Sequence, residues 1–418
     1  MSFAASYFQR FYHGSGGIIS EFPDPATSLI VTIPAFREEG LLYTLESIRR
    51  CEVPPAVTEV LVLINYPAQD ASEDFHRHQY NQIRDWAAKN SSPALRFFPL
   101  LMALPRADAG VGLARKILMD EAVYRFSIIN KPEGLIVGLD ADCRCEKNYL
   151  NELFSLYHQH PQINTCSIYF EHPLSGNEYS VREYEAIAVY ELYLRYYIEG
   201  LRMAAYPFAF HTIGSAFAVR AAAYVKQGGM NRRKAGEDFY FLNKMMLLGG
   251  YGELNTTVVY PAPRLSDRVP FGTGSAVRKI TDGSHDYLYT WNPQVFNILR
   301  DFTDSLPACF AENKIPELHP LLSDFLEKNQ WSTVLDQAKR NANHGHTFVK
   351  RIFQWFDGLK VLQFIRYAHQ NGLPRIHLLE AGSQLLFPSS LSVGCKDIVS
   401  LLLYYRNVQR QNNHSLFW

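Results

Sequence analysis

Two carboxylates two residues apart, Asp140 and Asp142, stand where a compact apolar run stops. Such a pair can share a hard divalent cation, because Mg²⁺ and Mn²⁺ take oxygen ligands and bridge readily to phosphates. Asp also favours ordinary strand-end turns, so Asp140-Ala141-Asp142 acquires meaning only from its surroundings. Farther on, Arg264, Arg268, Arg278 and Lys279 meet only Asp267 as a counter-charge within their stretch. In between, Glu191, Arg195, Glu199 and Arg202 recur at helical spacing as one charged stripe, and Glu191 four before Arg195 is the favourable ion-pair order.

The elements that must position these residues follow from hydrophobic patterning. Ser28–Ile33 is a β-branched run ended by Pro34, which suits a buried strand. Glu38–Cys51 carries Leu41, Leu42, Leu45 and Ile48 at helix-like spacing. Glu59–Ile64 is a second strand, followed by a loop rich in Asn, Pro and Asp and by a polar helix over Phe75–Lys89. Leu113–Phe126 reads as a helix, and Gly134–Leu139 as another buried strand that stops at Asp140. This alternation predicts an α/β fold with a mostly parallel sheet and helices on both faces. Ligands of such sheets sit beyond the carboxyl ends of strands, where Pro34, Asn65 and Asp140 all fall. Val181–Arg202 is a long helix whose Tyr-, Leu- and Ile-rich face is packed. Phe217–Val219 reads as a strand and Asp238–Leu248 as a helix. Arg264–Gly283 lacks periodicity and is expected to be a long surface loop. From about residue 287 the pattern is helical without strands. His346–Asn371 is expected as one helix with Phe348, Ile352, Trp355 and Leu359 on one face.

Composition narrows the function classes. A chain of 418 residues is long enough for two or three domains. Lys and Arg total 41 against 41 Asp and Glu, which argues against a nucleic-acid coat protein, since those need a positive surplus. The 14% aromatic content argues against disorder. Apolar runs such as Leu95–Leu104 and Phe208–Val219 fall short of the roughly 20 residues needed to span hydrocarbon. The first residues lack the charged start and continuous apolar stretch of a signal peptide. Six cysteines without a C-x-x-C pair suggest reduced thiols in a cytoplasmic protein, with neither a disulfide framework nor a zinc site.

Five segments in order resemble the GT-A glycosyltransferases, especially the large family 2. Ile33-Pro34-Ala35-Phe36-Arg37-Glu38-Glu39 resembles the family's P-x-[YF]-N-E opening, and Gly110-Val111-Gly112-Leu113-Ala114-Arg115-Lys116 its G-x-G-x-A-R-N segment. Leu139-Asp140-Ala141-Asp142 resembles the L-D-A-D metal motif. Ile213-Gly214-Ser215-Ala216-Phe217-Ala218-Val219-Arg220 resembles the acceptor-side strand. Gly228-Gly229-Met230 with Gly236-Glu237-Asp238 resembles the G-G-F…E-D block. The resemblance implies a Rossmann-like GT-A domain over residues 28–286, preceded by an N-terminal extension over 1–27 and followed by an all-α domain over 287–418 that shapes acceptor access. It implies a sugar transfer from a nucleotide-diphospho-sugar donor to the hydroxyl of a carbohydrate or lipid-linked acceptor, with Mg²⁺ or Mn²⁺. Pro34, Ala35 and Glu38 would line the nucleotide pocket, and Gly110, Gly112 and Arg115 would lie by the base or diphosphate. Asp140 would contact the ribose or the metal's shell, and Asp142 would bind the metal. Asp238 would be the general base, supported by Glu237, in a displacement with inversion.

After the second strand the chain reads Asn65 to Ser72 where the family carries an acidic pair, leaving Asn65 to meet the base and Asp70 as a displaced equivalent. The basic stretch from Arg264 becomes a lid hinged at Gly272 and Gly274, with Arg268 on the diphosphate. The alternatives are a retaining enzyme with His211 or His285 completing the metal shell, and a nucleotide-sugar-binding protein that has lost catalysis. The absence of a Q-x-x-R-W motif disfavours a processive synthase. Ile398–Tyr405 with Arg406 and Arg410 is either a docked C-terminal helix or a peripheral contact with the inner face of the membrane.

Overall fold

The computed structural model describes residues 2–12, 17–266, 272–311, 317–386 and 395–411. The chain divides into two compact units: Met1–Ser180 with Thr212–Ser275 and Gln409–Trp418, and Val181–His211 with Ala276–Val408. The long helix Val181–Met203 thus belongs to the second, helical unit, although it precedes the last strands of the first in sequence.

Among the described residues of the first unit, eight strands form one sheet: β1 (Thr27–Ala35), β2 (Val57–Pro67), β3 (Leu95–Leu104), β4 (Leu135–Gly138), β5 (Cys143–Cys145), β6 (Thr165–Phe170), β7 (Phe217–Arg220) and β8 (Tyr251–Pro261), in the order β3-β2-β1-β4-β7-β6-β8-β5. The expected α/β architecture is present, with β3, β2, β1 and β4 parallel. The sheet is mixed beyond β4, because β7 runs antiparallel to both β4 and β6 and β5 runs antiparallel to β8. β1 and β2 are almost wholly buried, as expected of Val-, Ile- and Leu-rich strands covered on both faces. β3 was legible only as an apolar run, since it contains Pro99. At the sheet's edge the missing N–H of proline leaves no partner unserved. The chain runs outward from β1 through β2 to β3, then returns to the other side of β1 as β4. This reversal makes a switch point at the carboxyl ends of β1 and β4.

Residues before β1 are stitched to the helix Val111–Ile128 rather than detached from it. The Tyr7 hydroxyl donates to Asp120 at 2.6 Å, Lys116 Nζ donates to Tyr7 at 3.0 Å, and the Ile18 N–H donates to Glu121 at 2.8 Å.

The second unit is helical but not all-α, because Tyr289–Thr290 pairs antiparallel with Ile376–His377. The single helix expected over His346–Asn371 is two, Gly345–Trp355 and Gly358–Gln370. Asp357 caps the second by accepting the Lys360 N–H at 2.9 Å, which favours a new start over continuation. The charged stripe on Val181–Met203 is buried in part: Glu191 and Arg195 are fully covered, and Arg406 grips Glu191 through two bonds of 2.8 and 2.7 Å. Arg406 is therefore committed to an internal ion pair and does not face a membrane. The apolar residues left exposed on Ile398–Gln411 include Val399, Leu403 and Tyr404. No described helix is long and apolar enough to cross a membrane.

Within the segment expected as one long loop, Thr273–Thr281 is helical. Arg268 lies outside the described residues.

Candidate active site at the carboxyl end of the sheet

The site begins where β1 and β4 end. Pro34 and Ala35 close β1 and are buried, and Asn65 is buried near the end of β2. Asp140 and Asp142 follow β4. Their turn is held by the Cys143 N–H on the Asp140 carbonyl at 3.1 Å and by the Thr44 hydroxyl on the Ala141 carbonyl at 2.7 Å. Thr44 carries no motif signal; only the fold brings its helix to this turn.

Arg115 gathers segments far apart in sequence. It sits in the second turn of Val111–Ile128 and is 2% exposed. Its Nη2 donates to Asp140 at 2.8 Å, Nη1 to the Gly214 carbonyl at 2.6 Å and Nε to Glu237 at 3.4 Å. Burial works against its charge, but the carboxylates of Asp140, Glu237 and Asp238 outweigh that and push its pKa up. The resemblance places Arg115 by the base or diphosphate. Its fork meets protein acceptors here and holds Asp140 and Glu237 together.

Two glycines make this convergence possible. A Cβ on Gly112 would lie 2.1 Å from the Arg233 carbonyl oxygen, so only glycine lets that loop pass. A Cβ on Gly214 would lie 2.8 Å from Arg115 Nη2 and 3.0 Å from Asp238 Oδ2, which puts Asp238 beside the same cluster.

Glu237 and Asp238 open the helix Glu237–Leu248 after Gly236, whose φ is +70°. Burial pushes the Glu237 carboxyl up to about 7 against the pull of Arg115, with Asp238 adding to the rise. Asp238 is pushed up in the same way, burial again outweighing Arg115. A buried carboxylate with a raised pKa takes protons more readily than one in water, as a general base acting near neutrality requires.

A second cationic contact joins Glu38 to Asp142. Arg264 Nη2 donates to Asp142 at 2.8 Å and also hydrogen-bonds Glu38. Burial pushes Asp142 up to about 6 against Arg264, with Asp140 and Glu38 adding to the rise. Glu38 is likewise raised by burial, with Arg264 opposing. Among the described residues no group of three or more His, Cys, Asp or Glu side chains could hold a metal by itself. The described carboxylates are shared with arginines rather than gathered into a closed cage. This suits Mg²⁺ or Mn²⁺, which are often held by one or two carboxylates together with substrate phosphates and water. That Asp142 already holds a cationic side chain fits the charge such an ion would bring.

Other candidates have contacts of their own. Asp70 accepts from Arg37 at 2.9 Å and from the Ser72 N–H and hydroxyl, each at 2.9 Å, so its oxygens are engaged within its own loop. His285 stacks edge-on against Tyr287 at 4.7 Å, and both His285 and His211 group with the helical unit. Arg220 is used up on the carbonyls of Ile163, Glu133 and Tyr157.

No protein-family model and no curated protein matches this chain. Among solved structures it is similar to S. aureus TarS 1-349 in complex with UDP-GlcNAc, at 14% identity over 83% of this chain and 93% of that one, with a TM-score of 0.41. It is also similar to the mannosyltransferase PcManGT from Pyrobaculum calidifontis in complex with GDP-Man and Mn²⁺, at 16% identity over 97% of this chain and 93% of that one, with a TM-score of 0.36.

Proposed function

We propose that this chain is a metal-dependent glycosyltransferase that moves a sugar from a nucleotide-diphospho-sugar to an acceptor hydroxyl with inversion. The observation that carries the reading is the Arg115 cluster. It joins Asp140 after β4, the Gly214 carbonyl and Glu237 at the carboxyl end of β4, with Asp238 alongside. These are the positions that the ordered family segments single out, and they lie where α/β sheets bind ligands.

Asp142 would hold the metal, with Asp140 in its shell and Glu38 close by. The bound ion would supply positive charge to the leaving diphosphate. Asp238 takes the proton of the acceptor hydroxyl as its oxygen bonds to the anomeric carbon. The bond from that carbon to the diphosphate oxygen breaks, and its electron pair leaves with the nucleoside diphosphate. Arg115 keeps Asp140 and Glu237 in register throughout. Pro34, Ala35 and Asn65 line the nucleotide side, and Gly112 lets the Arg233 loop approach. The acceptor is a carbohydrate or lipid-linked hydroxyl. A lipid-linked one would put the enzyme at a cytoplasmic membrane face, with Val399 and Leu403 as the exposed apolar residues available there.

The test is nucleoside diphosphate release from UDP-, GDP- and dTDP-sugars with Mn²⁺ or Mg²⁺, beside Asp142→Ala and Asp238→Ala. Metal-dependent release from one donor, lost in Asp142→Ala, establishes donor and class. Tight donor binding without release, even with an acceptor panel, points to the silent binder, and neither binding nor release overturns the reading.

A further inference from the structure

Arg264, 24% exposed, differs from the buried arginines of its unit. Arg115 uses Nε, Nη1 and Nη2 on Glu237, Gly214 and Asp140, and Arg125 uses the same three on Glu59 and the Glu21 carbonyl. Arg264 spends one nitrogen, Nη2, on both Glu38 and Asp142, while its Nε is buried with no hydrogen-bond partner among the described residues. A buried donor without an acceptor carries its full desolvation cost, so this grip is poorly made for stability alone. Two carboxylates drawn together, Glu38 buried and Asp142 half-buried, repel unless a cation lies between them. Glu38 follows β1 and Asp142 follows β4, so the cation between them bridges the two sides of the switch point.

We infer that the Arg264 guanidinium is the built-in counter-cation of the Glu38–Asp142 pair, holding the place of a divalent ion and yielding it when the donor arrives; this rests on the glycosyltransferase reading above. The donor's phosphate oxygens then give the released guanidinium, Nε included, the acceptors it lacks. The segment bearing Arg264 stays tethered, since the Ser266 N–H donates to the Gly274 carbonyl at 3.2 Å. Without a donor, metal affinity is reduced by the small fraction of molecules in which Arg264 is displaced. Free metal thus binds weakly, and metal and donor load together.

The test titrates Mn²⁺ alone into the full chain and reads free Mn²⁺ by electron paramagnetic resonance. Arg264→Gln and Arg264→Ala are expected to bind Mn²⁺ at least tenfold more tightly than the native chain, while Arg264→Lys stays near native. Asp142→Asn added to Arg264→Gln removes the gain. Unchanged or weaker Mn²⁺ binding in either truncation, with a native circular dichroism spectrum, overturns the inference. No turnover enters this readout. Metal-dependent donor cleavage without the gain sinks the inference and leaves the function standing. A gain without donor binding or cleavage does the reverse.

Discussion

The helix Val111–Ile128 carries a buried arginine toward each end, and the two ends are built to different purposes. Arg125, 1% exposed, binds Glu59, 0% exposed, through bonds of 2.5 and 3.0 Å. Thr27 donates to the same carboxylate at 3.2 Å, so the pair is shut off at the amino-terminal edge of β1 and β2. Arg115 is as buried, but the Asp140 side chain it holds is 36% exposed, and Glu237 and Asp238 crowd beside it. Ion pairs sealed from water serve the fold, whereas one whose carboxylate still faces solvent has a vacant side for a ligand. One helix thus anchors the sheet at its amino-terminal end and gathers carboxylates that include a solvent-facing one at its carboxyl end.

The sharpest way to break that contrast is to remove each arginine. Arg125→Met strands Glu59 out of water and is expected to cost about 3–5 kcal/mol of stability, read by urea unfolding, while turnover per folded molecule stays near native. Arg115→Met leaves Asp140 partly hydrated and Glu237 able to take a proton, so its stability loss should be smaller and its loss of turnover on the order of 100-fold. If Arg115→Met loses as much stability as Arg125→Met with turnover intact, the upper cluster is structural too.

The Arg115 end should also answer to pH. Glu237 is raised from 4.5 to about 7 by burial, so the folded state binds its proton more tightly than the unfolded chain does. Its contribution to stability is fully present below pH 4.5 and is lost as pH rises toward about 7. On the proposed mechanism turnover runs the other way, because Asp238 as the base must be ionised and burial raises its pKa as well. Glu237→Gln should flatten the fall of stability across that window in urea titrations at several pH values. An unchanged slope would place the proton elsewhere. The smallest effect is expected at Gly112, where an added Cβ would lie 2.1 Å from the Arg233 carbonyl. Gly112→Ala should cost about 1–3 kcal/mol by forcing that backbone aside. A neutral substitution would mean that the Arg233 loop does not need the close approach.

Much of this arrangement was legible one segment at a time. β1, β2 and β4 follow from β-branched runs that end in polar residues, and the chemistry of Asp140, Asp142, Glu237 and Asp238 follows from residue type and family order. Arg115 was visible as a position, but not as the residue that ties Asp140 to Glu237. β3 was hidden by Pro99, and Asp357 divided what periodicity made one helix, because a cap depends on a local hydrogen bond that hydrophobic spacing does not register. The stripe Glu191–Arg202 carried helical spacing, yet its spacing could not say that Arg406 would close over Glu191.

Alternation of apolar runs, the ends of strands and the order of motifs are properties of neighbouring residues, so local sequence already carries the α/β sheet and the set of candidate carboxylates. Which cation each carboxylate meets depends on contacts between residues more than a hundred positions apart, such as Arg115 with Glu237 and Arg264 with Asp142. Those pairings come from folding, because an ion pair takes its worth from distance, direction and the exclusion of water, and none of the three is written in local sequence.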